Sequence, residues 1–254
     1  MHYLFDPGPH PFLKIVDSEA RFPVRRIFCV GRNYADHARE MGALDQAEGR
    51  EPPFFFMKPA DALTSGREEI RVPYPPLTAD LQHEVELVVA LSGGGANLMT
   101  HEALGSVYGY TVGLDLTRRD MQARAKEKGH PWDMSKGFDH SAVAGLLQPA
   151  SVCGHLNSSR IWLKVNGETR QDGDLAQMTW KVAEVIANLS TSVCLAPGDL
   201  IYTGTPAGVG TIVPGDVLEG GIEGVGKLRV RIEKTKSLTG IEPLACGELG
   251  TCLS

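Results

Sequence analysis

Two glutamates one residue apart, Glu84 and Glu86, sit inside the apolar stretch 81–91 (LQHEVELVVAL). Strand alternation sets Val85, Leu87, Val89 and Leu91 on one face and Glu84, Glu86, Val88 and Ala90 on the other. The two carboxylates then share a face, with Cα atoms ~6.5 Å apart. Like charges so placed repel unless a cation lies between them, and a hard divalent ion such as Mg²⁺ or Mn²⁺, which prefers oxygen ligands, meets that need. The competing reading is the solvated face of an edge strand. His83-Glu84 opens HEVE in a strand pattern, not HExxH on a helix, which excludes the zinc-protease motif. Asp115 closes the apolar run 107–116 (VYGYTVGLDL), where a lone carboxylate is costly to bury. It suits a third metal ligand or a cap for the segment that follows.

His37 and Glu40 stand at i and i+3 on a short helical stretch and so share a face. A histidine oriented by a carboxylate can take a proton from water; the same pair also suits an ordinary exposed helix surface. Arg119, Gln122 and Lys136 lie in a segment too polar for a core, as site residues or as solvated ones. Gly204-Thr205-Pro206 offers backbone N–H groups and a hydroxyl to a carboxylate, or is simply a turn.

The elements that must carry these groups are short. Residues 26–30 (RIFCV) read as a strand, and 33–42 as a helix of about two turns with Asn33 as N-cap and Gly42 as stop. Residues 54–57 (FFFM) read as a buried strand after a polar stretch at 45–50. A helix-like piece at 100–104 precedes the strand at 107–116. The segment 117–130 has helical composition with almost no apolar face. Asn166-Gly167 between 161–165 and 168–171 signals a two-residue hairpin. Residues 178–189 make the best amphipathic helix. Strands follow at 199–203, 216–218 and 227–232 around the Gly-rich turn 204–210. One β-rich domain at 23–235 is expected, with an N-terminal arm at 1–22 and a tail at 236–254.

The composition excludes several functions. With 42% hydrophobic and 22% charged residues, 29 Gly and 16 Pro, the 254-residue chain is a turn-rich globular protein. A net charge of −6 and a basic patch at 118–128 interleaved with Asp120 and Glu127 argue against nucleic acid. Five scattered cysteines without a C-x-x-C pair read as reduced thiols in the cytoplasm. No stretch reads as a signal peptide or a membrane span.

Five segments in order, Val30-Gly-Arg-Asn-Tyr-Ala-Asp-His37, Phe55-Phe-Met-Lys-Pro59, His83-Glu-Val-Glu-Leu87, Gly113-Leu-Asp-Leu-Thr-Arg-Arg-Asp120 and Tyr202-Thr-Gly-Thr-Pro-Ala-Gly-Val-Gly210, resemble the fumarylacetoacetate hydrolase family. They span roughly 26–232; Gly145-Leu146 departs from a Gly-Pro common in that family, and the tail has no counterpart. The resemblance implies a β-rich α+β fold, a rolled mixed β-sheet core of the family's C-terminal domain type with a few short helices, and a homodimer. It makes Glu84, Glu86 and Asp115 ligands of Mg²⁺ or Mn²⁺, and His37 with Glu40 a water-activating dyad. Lys136 becomes a catalytic cation, and Arg119, Gln122, Thr205 and Gly204 contacts to a small keto-acid substrate. Within the family the chain looks like fumarylpyruvate or acylpyruvate hydrolases, which release pyruvate in aromatic catabolism. Decarboxylation of oxaloacetate, or isomerisation or decarboxylation of an unsaturated diacid, is the first rival. A non-catalytic β-rich binding module with a decorative acidic pair is the second.

Overall fold

A computed structural model describes residues 4–6, 8–40, 42 and 50–235. The tail at 236–254 and the polar residues 45–49 lie outside the described residues.

The strand expected over 81–91 is two strands. Leu81–His83 pairs with Thr117–Arg118 and Gly210–Ile212 in a three-stranded sheet, while Val85–Leu91 belongs to an eight-stranded one. The neighbouring chain changes sheets at the same level. Val85 pairs with Leu114, the Asp115 N–H donates to the Glu84 carbonyl at 2.9 Å, and Val107–Asp115 then gives way to Thr117–Arg118. Glu84 and Asp115 therefore face each other at a joint between sheets.

The large sheet runs in the order Phe54–Lys58, Arg26–Gly31, Asp199–Tyr202, Val85–Leu91, Val107–Asp115, Ala142–Ala144 and Leu63–Ser65, with Gln148–Pro149 beside Val107–Asp115. Two of its pairings, Asp199–Tyr202 with Arg26–Gly31 and Ala142–Ala144 with Leu63–Ser65, are parallel and the rest antiparallel, so the sheet is mixed. A five-stranded sheet, Glu168–Asp174, Arg160–Val165, Val217–Ile222, Gly226–Glu233 and Glu69–Pro73, packs against it. Together they form the curled mixed-sheet half-barrel that the sequence led us to expect, with few short helices.

Every residue of Val85–Leu91 is buried, and alternation divides them between two cores. Val85, Leu87, Val89 and Leu91 pack with Leu163, Leu218 and Val230 of the five-stranded sheet. Val88 and Ala90 pack with Leu13, Ile15 and Phe22 beneath the hairpin Phe12–Lys14/Arg21–Pro23. At about 1.5–3 kcal/mol per side chain, the first four contribute roughly 6–12 kcal/mol as an upper bound. That is the same order as the cost of holding a charge such as Glu86 in the interior. The strand lies in the middle of the sheet, which removes the solvated edge-strand reading.

Local expectations fared unevenly. Asn166 and Gly167 adopt φ of +52° and +84°, as a two-residue hairpin with this right-handed twist requires. The helix placed at 178–189 begins at Val182 and ends at Ser192. Residues 179 and 180 form a bend outside the helix because their N–H groups donate to the Asn33 carbonyl and to Asn33 Oδ1. Asn33 is thus not the cap of the helix Ala35–Glu40: its Nδ2 also donates to the Trp180 and Thr203 carbonyls at 2.9 and 2.8 Å. The strand Phe54–Lys58 is a half-buried sheet edge, with Met57 47% exposed, and only Lys58 of it is buried.

Candidate active site

The sheet joint brings the three predicted carboxylates together. Glu84, Glu86 and Asp115 are all buried, and one oxygen of each lies within 4.8 Å of the others. Glu84 and Asp115 are cross-strand partners, an arrangement that destabilises like charges unless something positive joins them. Here Lys136 Nζ does, at 2.8 Å from both Glu84 Oε2 and Asp115 Oδ2, with the ammonium 4.9 Å from the Phe56 ring centre. Lys136 comes from the short helix Asp133–Lys136 and is 2% exposed. Lys58 Nζ lies 2.8 Å from Asp115 Oδ1 and donates to the carbonyls of Leu116 and Lys136. Arg119, first residue of the helix Arg119–Lys128, donates to Glu84 Oε1.

Electrostatics differ sharply among the three acids. Burial pushes Glu84 up, but Lys136 and Arg119 outweigh it and hold the carboxyl well below the usual range. Glu86 has no cation on it among the described residues; its carboxylate accepts from the Gly204 N–H at 2.7 Å. Burial first, then Asp115 and Glu84, push Glu86 well above the usual carboxylate range. A buried all-oxygen donor set with one member short of positive charge is the chemistry that fits a hard dication.

His37 lines the same cleft as Glu84 and Glu86. Glu40 Oε2 lies 3.3 Å from His37 Nδ1, and both Glu40 oxygens accept from the Gly208 N–H at 3.2 Å. A carboxylate only accepts, so Nδ1 carries the proton and Nε2 presents a lone pair. Burial lowers the His37 pKa, with Glu84 and Glu40 opposing, and the ring stays neutral near pH 7. Gly208 is held at φ +96° with the Arg170 carbonyl 2.0 Å from where a Cβ would stand, so only glycine fits.

The remaining predicted contacts line the cleft but are partly committed. Arg119 spends its guanidinium on Gln82 Oε1, Gln122 Oε1 and Glu84. Gln122 keeps its NH₂ without a partner among the described residues, on the cleft wall. The Gly204 N–H is taken by Glu86, so this residue positions a carboxylate of the protein. Thr205 Oγ1 donates to the Val85 carbonyl and accepts from Gln171 Nε2. The cleft is walled by Phe54, Phe56 and Trp132, with Arg32 and Lys126 also on it.

Four residues went unnoticed in the sequence. Lys58 braces Asp115, Gln82 braces Arg119, Gly208 braces Glu40, and Gln171 braces Thr205. The one local signal was Lys58, a lysine closing an apolar strand just before a proline.

Comparison with known proteins agrees with this architecture. The family model for the fumarylacetoacetate (FAA) hydrolase C-terminal region matches residues 26–233. The crystal structure of fumarylpyruvate hydrolase from Pseudomonas aeruginosa, in complex with Mn²⁺ and pyruvate, is 47% identical with a TM-score of 0.87, over 92% of this chain and 100% of that one. The mitochondrial oxaloacetate tautomerase FAHD1 of Rattus norvegicus is 40% identical over 84% of this chain and 93% of its own. The mitochondrial oxaloacetate decarboxylase of Dictyostelium discoideum is 40% identical over 79% and 90%.

Proposed function

This chain belongs to the fumarylacetoacetate hydrolase C-terminal family, and from that premise we propose that it hydrolyses a carbon–carbon bond of a 2,4-diketo acid, fumarylpyruvate or a related acylpyruvate, to pyruvate and a carboxylic acid. The observation that carries the reading is a neutral His37, held by Glu40, on the same cleft as Glu84 and Glu86, whose carboxylates converge with that of Asp115. Glu84, Glu86 and Asp115 would hold Mg²⁺ or Mn²⁺, whose Lewis acidity stabilises negative charge on the keto-acid end of the substrate. His37 Nε2 removes a proton from water as the oxygen adds to the C4 carbonyl, and Glu40 holds the imidazolium that results. The C3–C4 bond then breaks with its electron pair on C3, giving the acid and the enolate of pyruvate, which a proton on C3 converts to pyruvate. Lys136, held between Glu84 and Asp115, balances charge as the enolate forms and supports its protonation. Gln122 offers its free NH₂ to substrate oxygen, and Thr205 shapes the wall beside it.

A second reading has specific support. The 40%-identical oxaloacetate tautomerase and decarboxylase act, by their names, on a keto acid with one ketone in place of two. Decarboxylation or tautomerisation needs no water-activating base, so the dyad separates the two readings. The proposal includes a cytoplasmic homodimer working in the breakdown of aromatic compounds; no helix among the described residues is long and apolar enough to cross a membrane.

The test is pyruvate release from fumarylpyruvate, maleylpyruvate, acetylpyruvate and oxaloacetate, with and without EDTA, by the wild type and His37→Ala. The hydrolase reading expects EDTA-sensitive release from a diketo acid that His37→Ala lowers by about 10²–10⁴-fold. Turnover of oxaloacetate alone, indifferent to His37, supports the second reading instead. Indifference to EDTA sinks the metal site.

A further inference from the structure

Two cations on the cleft wall remain unassigned. Arg32 follows the strand Arg26–Gly31, and Lys126 lies on the helix Arg119–Lys128 two turns beyond Arg119. Both line the same cleft as Glu84 and Glu86. Neither has a carboxylate partner among the described residues, whereas Lys58, Lys136 and Arg119 are all ion-paired.

Each is seated on an aromatic ring. The Arg32 guanidinium is 5.7 Å from the Phe54 ring centre and Lys126 Nζ is 5.3 Å from that of Trp132. Phe54 and Trp132 meet edge to face at 5.7 Å, and Phe56 meets Trp132 at 5.9 Å. One aromatic cluster therefore fixes both cations against one cleft wall. Arg32 holds φ at +55°, a region that costs a residue with a Cβ and recurs at binding sites. The Lys126 pKa is lowered by burial and then by Arg119, Arg32 and Lys136, as expected of a cation crowded by cations.

The geometry points to Arg32 and Lys126 as the seat of a second carboxylate, so that the substrate is a diacid: an acylpyruvate whose acyl group itself ends in a carboxylate. This rests on the diketo-acid reading of the site. The keto-acid end faces the acidic cluster, the apolar middle of the acyl chain lies against Phe54, Phe56 and Trp132, and the distal carboxylate meets the two free cations. Arg119, the arginine that the resemblance makes a substrate contact, is already spent on Gln82, Gln122 and Glu84.

The experiment compares fumarylpyruvate with the monoacid acetylpyruvate on the Mn²⁺-loaded full chain, for the wild type, Arg32→Gln, Lys126→Gln, both together, and Lys126→Arg. The ratio of kcat/KM for fumarylpyruvate to that for acetylpyruvate should fall about tenfold in each charge-removing single variant and further in the double, the loss typical of a charged hydrogen bond. Lys126→Arg should keep most of the ratio. A ratio unchanged in the double variant overturns the assignment. Binding of both keto acids, followed by tryptophan fluorescence, gives the same ratio without turnover. If the wild type binds but cleaves neither compound, the hydrolase reading fails. The fluorescence ratio then still judges the cation pair: weakened selectively for the diacid it stands, weakened equally for both it falls.

Discussion

The most consequential single atom in the cleft is Nε2 of His37. Because burial lowers the pKa of the ring from 6.5, the basic form survives into mildly acidic solution. For a histidine whose folded pKa is depressed, the unfolded chain binds the extra proton between the folded pKa and 6.5, so folding stability rises with pH across that window. Activity should follow the same ionisation: the acid limb of kcat/KM for diketo-acid hydrolysis lies below pH 6.5, and a limb above 6.5 would exclude His37 as the base. A second residue is readable by donor counting. Gln171 Oε1 accepts the Val85 N–H at 3.1 Å and Gln171 Nε2 donates to the Pro206 carbonyl at 2.8 Å, which fixes the amide orientation. His83 Nδ1, 2.9 Å from Oε1, must then carry its proton, and Nε2 is left a buried acceptor with no partner. Gln171→Glu removes both donors from the loop bearing Thr205 while keeping size. It should raise KM by about tenfold with a smaller change in kcat; steady-state kinetics on the preferred diketo acid checks this, and an equal loss in kcat alone would contradict it. The acids were legible because a charge on an apolar strand violates local patterning, whereas the His37–Glu40 pair, which also suits an exposed helix surface, stood out only through the family resemblance. Gln171, Gly208 and Gln82 act on residues far away in the chain, and no local pattern marks that.

At the scale of elements, the break at Glu84 explains why strand alternation found the right residues with a different geometry. The i, i+2 argument assumes one continuous strand, whereas the cluster is made by a cross-strand pair plus Glu86, and only the fold reveals that Asp115 lies opposite Glu84. Asn33 shows the reverse failure. Its position before a short helix invites a cap, yet the helix Ala35–Glu40 is too short to hold itself and is moored instead by Asn33 to Trp180 and Thr203. Tertiary demand overrode the local preference. Removing that side chain leaves three backbone groups short of partners in a residue environment 1% exposed. Asn33→Ala should therefore cost roughly 2–4 kcal/mol, read by urea unfolding as a lower midpoint at unchanged slope. Because the same residue carries the helix of His37, kcat should drop as well even where the variant is fully folded. A stable variant with full activity would show that the mooring lies elsewhere.

For the whole molecule, the acidic cluster links folding, metal and pH. In the metal-free chain Glu86 has its pKa raised above the ordinary 4.5 by burial, Asp115 and Glu84. A raised carboxyl contributes stability that is complete below 4.5 and is lost as pH climbs through the folded value. Glu84, depressed by Lys136 and Arg119 against the effect of burial, contributes the opposite way, with stability present above 4.5 and lost on acidification. Without metal, the charged form of Glu86 is buried with no cation on it among the described residues, and a dication at the cluster stabilises that form. Mn²⁺ in hundredfold excess over its Kd should raise Tm by roughly 5–10 °C for a chain of this size, and by more at pH 8 than at pH 5, because protons compete for the ligand. Glu86→Gln separates the two effects. The amide oxygen can still accept the Gly204 N–H that now meets Glu86 at 2.7 Å, but it bears no charge. The variant treated with EDTA should melt above the wild type treated with EDTA at pH 8, and should no longer respond to Mn²⁺. A wild type that is the more stable of the two without metal would mean that Glu86 is already neutralised within the fold, and a variant that still gains stability from Mn²⁺ would mean that the ion sits elsewhere.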